Sequence, residues 1–177
     1  AKNDPAQSRP APENNAGVSR LPHYGTAYFV TAATGTGYEQ VVLPIEGVAM
    51  WGTIYGFLAL ERDGNTVRGL TFYDQKETPG LGGEIGNPKW QAVWRGRKVY
   101  DENWEPRIVV IKGAAGPVDK DPMRVDGLSG ATITSNAVSR VTATSTLGGP
   151  TSARSTSSPS RPSMPTGGPA PLVTSAT

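Results

Sequence analysis

The stretch WGTIYGFLALERDGNTVRGLTFYDQ, residues 51–75, reads as two β-strands closed by a tight turn. Both arms are rich in β-branched and aromatic residues, which suit a pleated, half-buried surface. Between them Asp63-Gly64 supplies the positive φ that a short hairpin loop demands. The order TVRGLTFY brings Val67, Leu70 and Phe72 close to one face, so the hairpin has an inside and an outside. Working outward, GTAYFVTAA and YEQVVLPI flank the turn sequence TGTG and make a second strand pair. Further on, NPKWQAVW begins a short helix, with Asn87 as cap and Pro88 in its first position. Trp90 and Trp94, four apart, share one face of it. PRIVVIKG reads as a buried strand ending at Lys112-Gly113. The predicted fold class is α+β: one domain built on a mostly antiparallel sheet with a few helices.

Composition divides the chain of 177 residues into three parts. Residues 1–22 are rich in Pro, Ala and Asn without a period and read as a linker or arm. Residues 23–140 are the domain. All of the aromatic residues (4 Trp, 6 Tyr, 3 Phe) lie between Tyr24 and Trp104, so the core is expected mainly within 24–111. In residues 141–177 all but five positions are Thr, Ser, Pro, Ala, Gly or Arg. Such a segment buries too little apolar area to offset its ordering entropy, and reads as a low-complexity tail. A shifted reading frame of a GC-rich gene would produce the same text.

Charge and residue types exclude several functions. The calculated pI is near 9.0. Every acid stands at or before Asp126, however, and only Arg140, Arg154 and Arg161 follow it. Three scattered arginines make no phosphate-tracking stripe, so nucleic acid is not an expected partner. There is no cysteine and His23 is the only histidine, which excludes disulfides, thiolate chemistry and a histidine-rich metal site. An acyl hydrolase built on Ser129 fails for want of a base, because His23 stands at the junction with the arm, distant from it in sequence. No run of about 18 apolar residues occurs, so the chain as given is expected to be soluble.

Two segments have a site-like chemistry. In DGLSGATITSNAVSR, residues 126–140, Gly127 and Gly130 permit tight backbone geometry just before a helix. Unpaired N–H groups cluster at a helix start, which is where an anion binds. Thr132 or Thr134 acting as a plain helix cap is the competing reading. In ETPGLGGE, residues 77–84, Pro79-Gly80 marks a turn and Leu81 stands between glycines. This is either a wide surface loop or one that presents backbone to a flat polar ring, with Leu81 against its face.

Taken with the GVAMWGTIYGFLALERDGNTV block, the NPKW…W..RKVYDE stretch and the VIKG strand end, these two segments give a family resemblance. From about Asp4 to Arg140 the chain resembles the FMN-binding domain found in the C subunit of the sodium-translocating NADH:quinone reductase. The resemblance implies FMN bound covalently through a phosphoester to Thr132, attached by a flavin transferase with FAD as donor. It implies that Asp126, Ser129, Gly130 and Ala131 form the motif around the phosphate, and that Thr134 offers a second hydroxyl. Glu77, Thr78, Gly80, Leu81 and Gly82 would meet the isoalloxazine and ribityl chain, with Lys112, Gly113 and Trp51 beside the cofactor. No metal is implied. The implied function is that of a one-electron carrier subunit in a sodium-pumping, NADH-oxidising complex of the bacterial inner membrane, with no independent catalysis. The flavin domain would lie on the periplasmic side and the other subunits would be its partners. The alternatives are the G subunit of an Rnf-type electron transport complex, or a non-redox extracytoplasmic flavin-binding module. Two departures stand out: the family's membrane-spanning helix is missing from the start, and residues 141–177 replace its usual apolar ending.

Overall fold

The computed structural model describes residues 4–11, 17–23, 25–33 and 35–146. Its centre is the predicted hairpin. Strand β5 (Thr53–Glu61) pairs antiparallel with β4 (Tyr38–Val48) on one side and β6 (Val67–Asp74) on the other, and β3 (Tyr28–Thr31) pairs antiparallel with β4. The sheet order is β3-β4-β5-β6. Alternation along β5 is regular: Ile54, Gly56, Leu58 and Leu60 are buried and the residues between them half-buried. On β6 the inward residues Val67 and Leu70 are three apart, which a flat strand would not allow. The pairs Leu60↔Val67 and Ala59↔Gly69 leave Arg68 as an extra residue, a bulge that turns both side chains inward. Gly64 has φ of 68°, as the turn sequence requires.

The inner face of the sheet carries the core. Ile54, Leu58, Ile85, Trp94 and Val99 are fully excluded from solvent, and each aliphatic member contributes about 1.5–3 kcal/mol of burial free energy. The helix α1 (Pro88–Ala92) is capped as read, with Asn87 Oδ1 accepting from the Lys89 N–H at 3.0 Å. Trp90 on α1 and Trp94 just past it meet edge to face, with ring centroids 5.7 Å apart. The buried strand read at residues 106–113 shrinks to β7 (Val109–Val110), which pairs parallel with β8 (Arg124–Val125).

Two differences from the sequence reading concern the ends of the domain. Within residues 1–22, β1 (Ser8–Pro10) and β2 (Arg20–Pro22) form an antiparallel pair. Arg20 fastens it, donating from Nε to Ser8 Oγ at 2.9 Å and from a terminal nitrogen to the Ser8 carbonyl at 2.6 Å. At the other end, α2 (Thr132–Thr146) runs past the composition break at Val141. Val138 and Val141 are both buried on the core, so the core extends beyond the aromatic segment. The proposed tail from residue 147 onward, with its reading-frame question, lies outside the described residues.

Candidate functional site

Three segments of the chain converge at the end of the sheet where α2 begins. The first is the β4–β5 turn, closed by the Ala49 N–H donating to the Gly52 carbonyl at 2.8 Å. The second is the loop after β6, residues 77–82. The third is the start of α2. Together they enclose a cavity of about 470 Å³, within the range typical of small-molecule sites. Met50 and Trp51 line it from the turn, Glu77, Thr78, Leu81 and Gly82 from the loop. Gly130, Ala131, Thr132, Ile133 and Thr134 line it from the helix start.

The helix start has the features of an anion seat. The Ala131 carbonyl accepts from the Ser135 N–H at 2.9 Å, so the helical ladder begins there. The N–H groups of Thr132, Ile133 and Thr134 have no backbone acceptor among the described residues, as expected for a first turn. Gly130 enters the turn with φ of 68°, a conformation that costs an L residue about 1–2 kcal/mol. A Cβ there would also lie 2.9 Å from Leu81 Cδ2. Thr132 is exposed and Thr134 buried, and both line the cavity. Around this seat Met50, Trp51, Leu81 and Ile133 are exposed apolar side chains, an arrangement that suits a flat ring. Among the described residues no lysine or arginine lines the cavity.

Of the residues named from sequence, Trp51, Glu77, Thr78, Leu81, Gly82, Gly130, Ala131, Thr132 and Thr134 are brought together here. Asp126, Ser129, Gly80, Lys112 and Gly113 do not line the cavity. Asp126 is turned to the scaffold instead. Its Oδ1 accepts from the Ala115 N–H at 2.8 Å, and its carbonyl accepts from the Trp90 indole. Lys112 is exposed, and the Gly113 carbonyl accepts from the Gly127 N–H at 2.8 Å. Asp126 and Gly113 therefore hold the approach to the motif from outside the cavity. Thr134 differs from the expectation of a second hydroxyl for a phosphate, because its hydroxyl donates to Glu77 Oε2 inside the protein. Glu77 in turn is buried and internally bonded, where the sequence places it on an open loop. Sequence reasoning missed Met50 and Ile133; the one available signal is that each is an apolar residue beside a singled-out position.

The donors, the left-handed glycine and the apolar rim fit a ligand that joins a phosphate to a flat ring, and FMN is such a ligand. Comparison with known proteins agrees. Residues 49–145 match the model of the FMN-binding domain family. Over 140 residues the chain is 48% identical to the C subunit of the Na(+)-translocating NADH-quinone reductase of Vibrio vulnificus, covering 78% of this chain and 53% of that protein. It is 46% identical over 141 residues to the protein of the same name from Pseudomonas aeruginosa, with the same two coverages. The chain thus spans about half the length of the curated relatives it matches. Among solved structures, the crystal structure of Shewanella oneidensis NqrC superposes with a TM-score of 0.74 at 31% identity, covering 80% of this chain and 64% of that one. The chain belongs to the FMN-binding domain family.

Proposed function

We propose that this domain carries FMN esterified to Thr132 and serves as a one-electron carrier subunit of a sodium-translocating NADH:quinone reductase. The observation that carries the covalent reading is the charge balance of the seat. Three N–H groups without a backbone acceptor and a helix dipole lie at the helix start that bears Thr132, and no lysine or arginine among the described residues lines the cavity. A free phosphomonoester brings nearly two negative charges to such a place, whereas a phosphodiester brings one. A helix N-terminus, equivalent to roughly half a positive charge, neutralises a larger share of the diester's charge than of the monoester's.

Attachment requires that Thr132 Oγ attack the FMN phosphorus of FAD. The new O–P bond forms as the bond to AMP breaks, and the hydroxyl proton leaves with the AMP. A flavin transferase is the proposed catalyst. The attached FMN would supply the redox chemistry, and no acid–base group of the chain is asked to do so. The chain's own part is to fix position. Its N–H groups would hold the phosphate, while Met50, Trp51, Leu81 and Ile133 would make an apolar wall that limits water.

The quinone-reductase assignment rests on the names of the relatives, and extends to this chain the complex and its other subunits; the membrane setting and the periplasmic placement of the domain rest on the family resemblance alone. Residues 1–22 would then connect the domain to a membrane anchor. No helix among the described residues is long and apolar enough to cross a membrane. Co-expression with a flavin transferase tests the central point. The intact mass is expected to rise by FMN minus water, and Thr132→Ala to abolish the gain. An unchanged mass in a host shown to flavinylate a control protein overturns the proposal.

A further inference from the structure

Glu77 retains only 5% of its exposure, yet it is an acid in a loop. Burying a carboxylate is costly unless its oxygens are hydrogen-bonded. Here both are. Oε1 accepts from the main-chain N–H of Trp51 at 2.9 Å, and Oε2 accepts from the Thr134 hydroxyl. The donors come from segments on either side of it in sequence, 26 residues before and 57 after. Thr134 is the third residue of α2, where a negative group is favoured by the helix dipole.

The knot is closely packed. A Cβ on Gly82 would lie 2.5 Å from Thr134 Oγ1 and 2.7 Å from Glu77 Oε2, so residue 82 has to be glycine. One carboxylate thereby joins the turn bearing Met50 and Trp51, the loop bearing Leu81, and the helix bearing Thr132 and Ile133. These are the three walls of the cavity.

We infer that Glu77 is a positioning residue that acts through Trp51: by tying the Trp51 main chain to Thr134 it sets where the aromatic wall stands relative to the Thr132 seat. The inference rests on the reading that FMN is carried at Thr132. It assigns the Thr134 hydroxyl to the carboxylate, leaving Thr132 as the outward-facing hydroxyl of the pair.

The test co-expresses wild type, Glu77→Gln, Thr134→Val, Thr134→Ser and the Glu77→Gln/Thr134→Val double variant with the transferase. Intact mass establishes attachment, and flavin emission with iodide quenching then reports the environment of the ring. Glu77→Gln and Thr134→Val are expected to lose the wild-type quenching by the protein and to open the flavin to iodide. Thr134→Ser, which keeps the hydroxyl, should behave as wild type. The double variant should go no further than either single one, since both break the same link. Full attachment with wild-type emission and iodide response in both Glu77→Gln and Thr134→Val overturns the inference and leaves FMN carriage standing. A wild type without the mass gain overturns both. A measurement on the unmodified wild type guards against variants that do not fold. The Trp51 amide, though in an exposed turn, should exchange its hydrogen as slowly as the core strands, and rapid exchange overturns the inference.

Discussion

The indole N–H of Trp90 donates to the main-chain carbonyl of Asp126 at 2.9 Å. Trp90 belongs to α1 and is buried, while Asp126 follows β8 and leads directly into Gly127 and the SGAT segment. One hydrogen bond therefore anchors the approach to the helix start on the core. Replacing Trp90 with Phe keeps an aromatic ring but leaves the Asp126 carbonyl without this donor. The expected cost is about 1–3 kcal/mol in a denaturant melt. A melt identical to wild type would show that the carbonyl finds another partner.

Gly127 is held in place by its neighbours' backbone. A Cβ at this position would come 2.0 Å from the Ile111 carbonyl oxygen and 3.2 Å from the Gly113 nitrogen. Neither atom can step aside without moving the strand end. Gly127→Ala is expected to lower stability by about 1–3 kcal/mol, as overpacking does. Gly69 on β6 is the control, since a Cβ there meets nothing within 4 Å. Gly69→Ala should be neutral or slightly stabilising in the same melt.

Gly130 combines positive φ with contact to Leu81. Gly130→Ala is expected to cost about 1–2 kcal/mol through backbone strain alone. It should also push Leu81 away from the cavity and reduce the fraction of protein that gains FMN mass. Comparing Gly130→Ala with Gly69→Ala for both melt and attachment separates this local effect from a general loss of stability.

Asp63 makes stability depend on pH at the β5–β6 turn. Partial burial alone would raise its carboxyl. Hydrogen bonds from the Thr66 hydroxyl and N–H, the Asn65 N–H and the Lys98 ammonium outweigh that and hold it well below the ordinary value of 3.8. A depressed carboxyl stabilises the fold fully above its unfolded value, and the contribution is lost as pH falls toward the folded value. Side-chain exposure of 42% means solvent screens the interaction, so the effect is about 1 kcal/mol or less. The stability gap between wild type and Asp63→Asn should be widest above pH 3.8 and narrow in more acid solution. A gap that is constant with pH would rule out the carboxylate as its source.

Features set by neighbouring residues are legible in the sequence. The hairpin follows from Asp63-Gly64 and the spacing of Val67, Leu70 and Phe72, although the bulge at Arg68 that reconciles that spacing with a strand needs the partner strand. The cap at Asn87 follows from Asn-Pro, because capping is a contact between residues two apart. The pairing of Ser8 with Arg20 is invisible, since a guanidinium fastening two short polar segments leaves no periodic trace. Val141 reads as the first residue of a tail, but burial of α2 against the sheet is decided by the helix face and not by average composition.

For the site, the order of residues alone supplies the two chemical ingredients. These are a glycine-flanked helix start carrying the Thr132 hydroxyl, and a glycine-rich loop presenting Leu81. Folding brings them into one cavity, adds Met50 and Ile133 to it, and leaves Lys112 and Asp126 outside it. It also places Glu77 in the interior. What separates the two is the range of the interactions. Turn chemistry and capping act within a few residues of chain, whereas a buried carboxylate is satisfied by whichever distant donors the fold delivers to it.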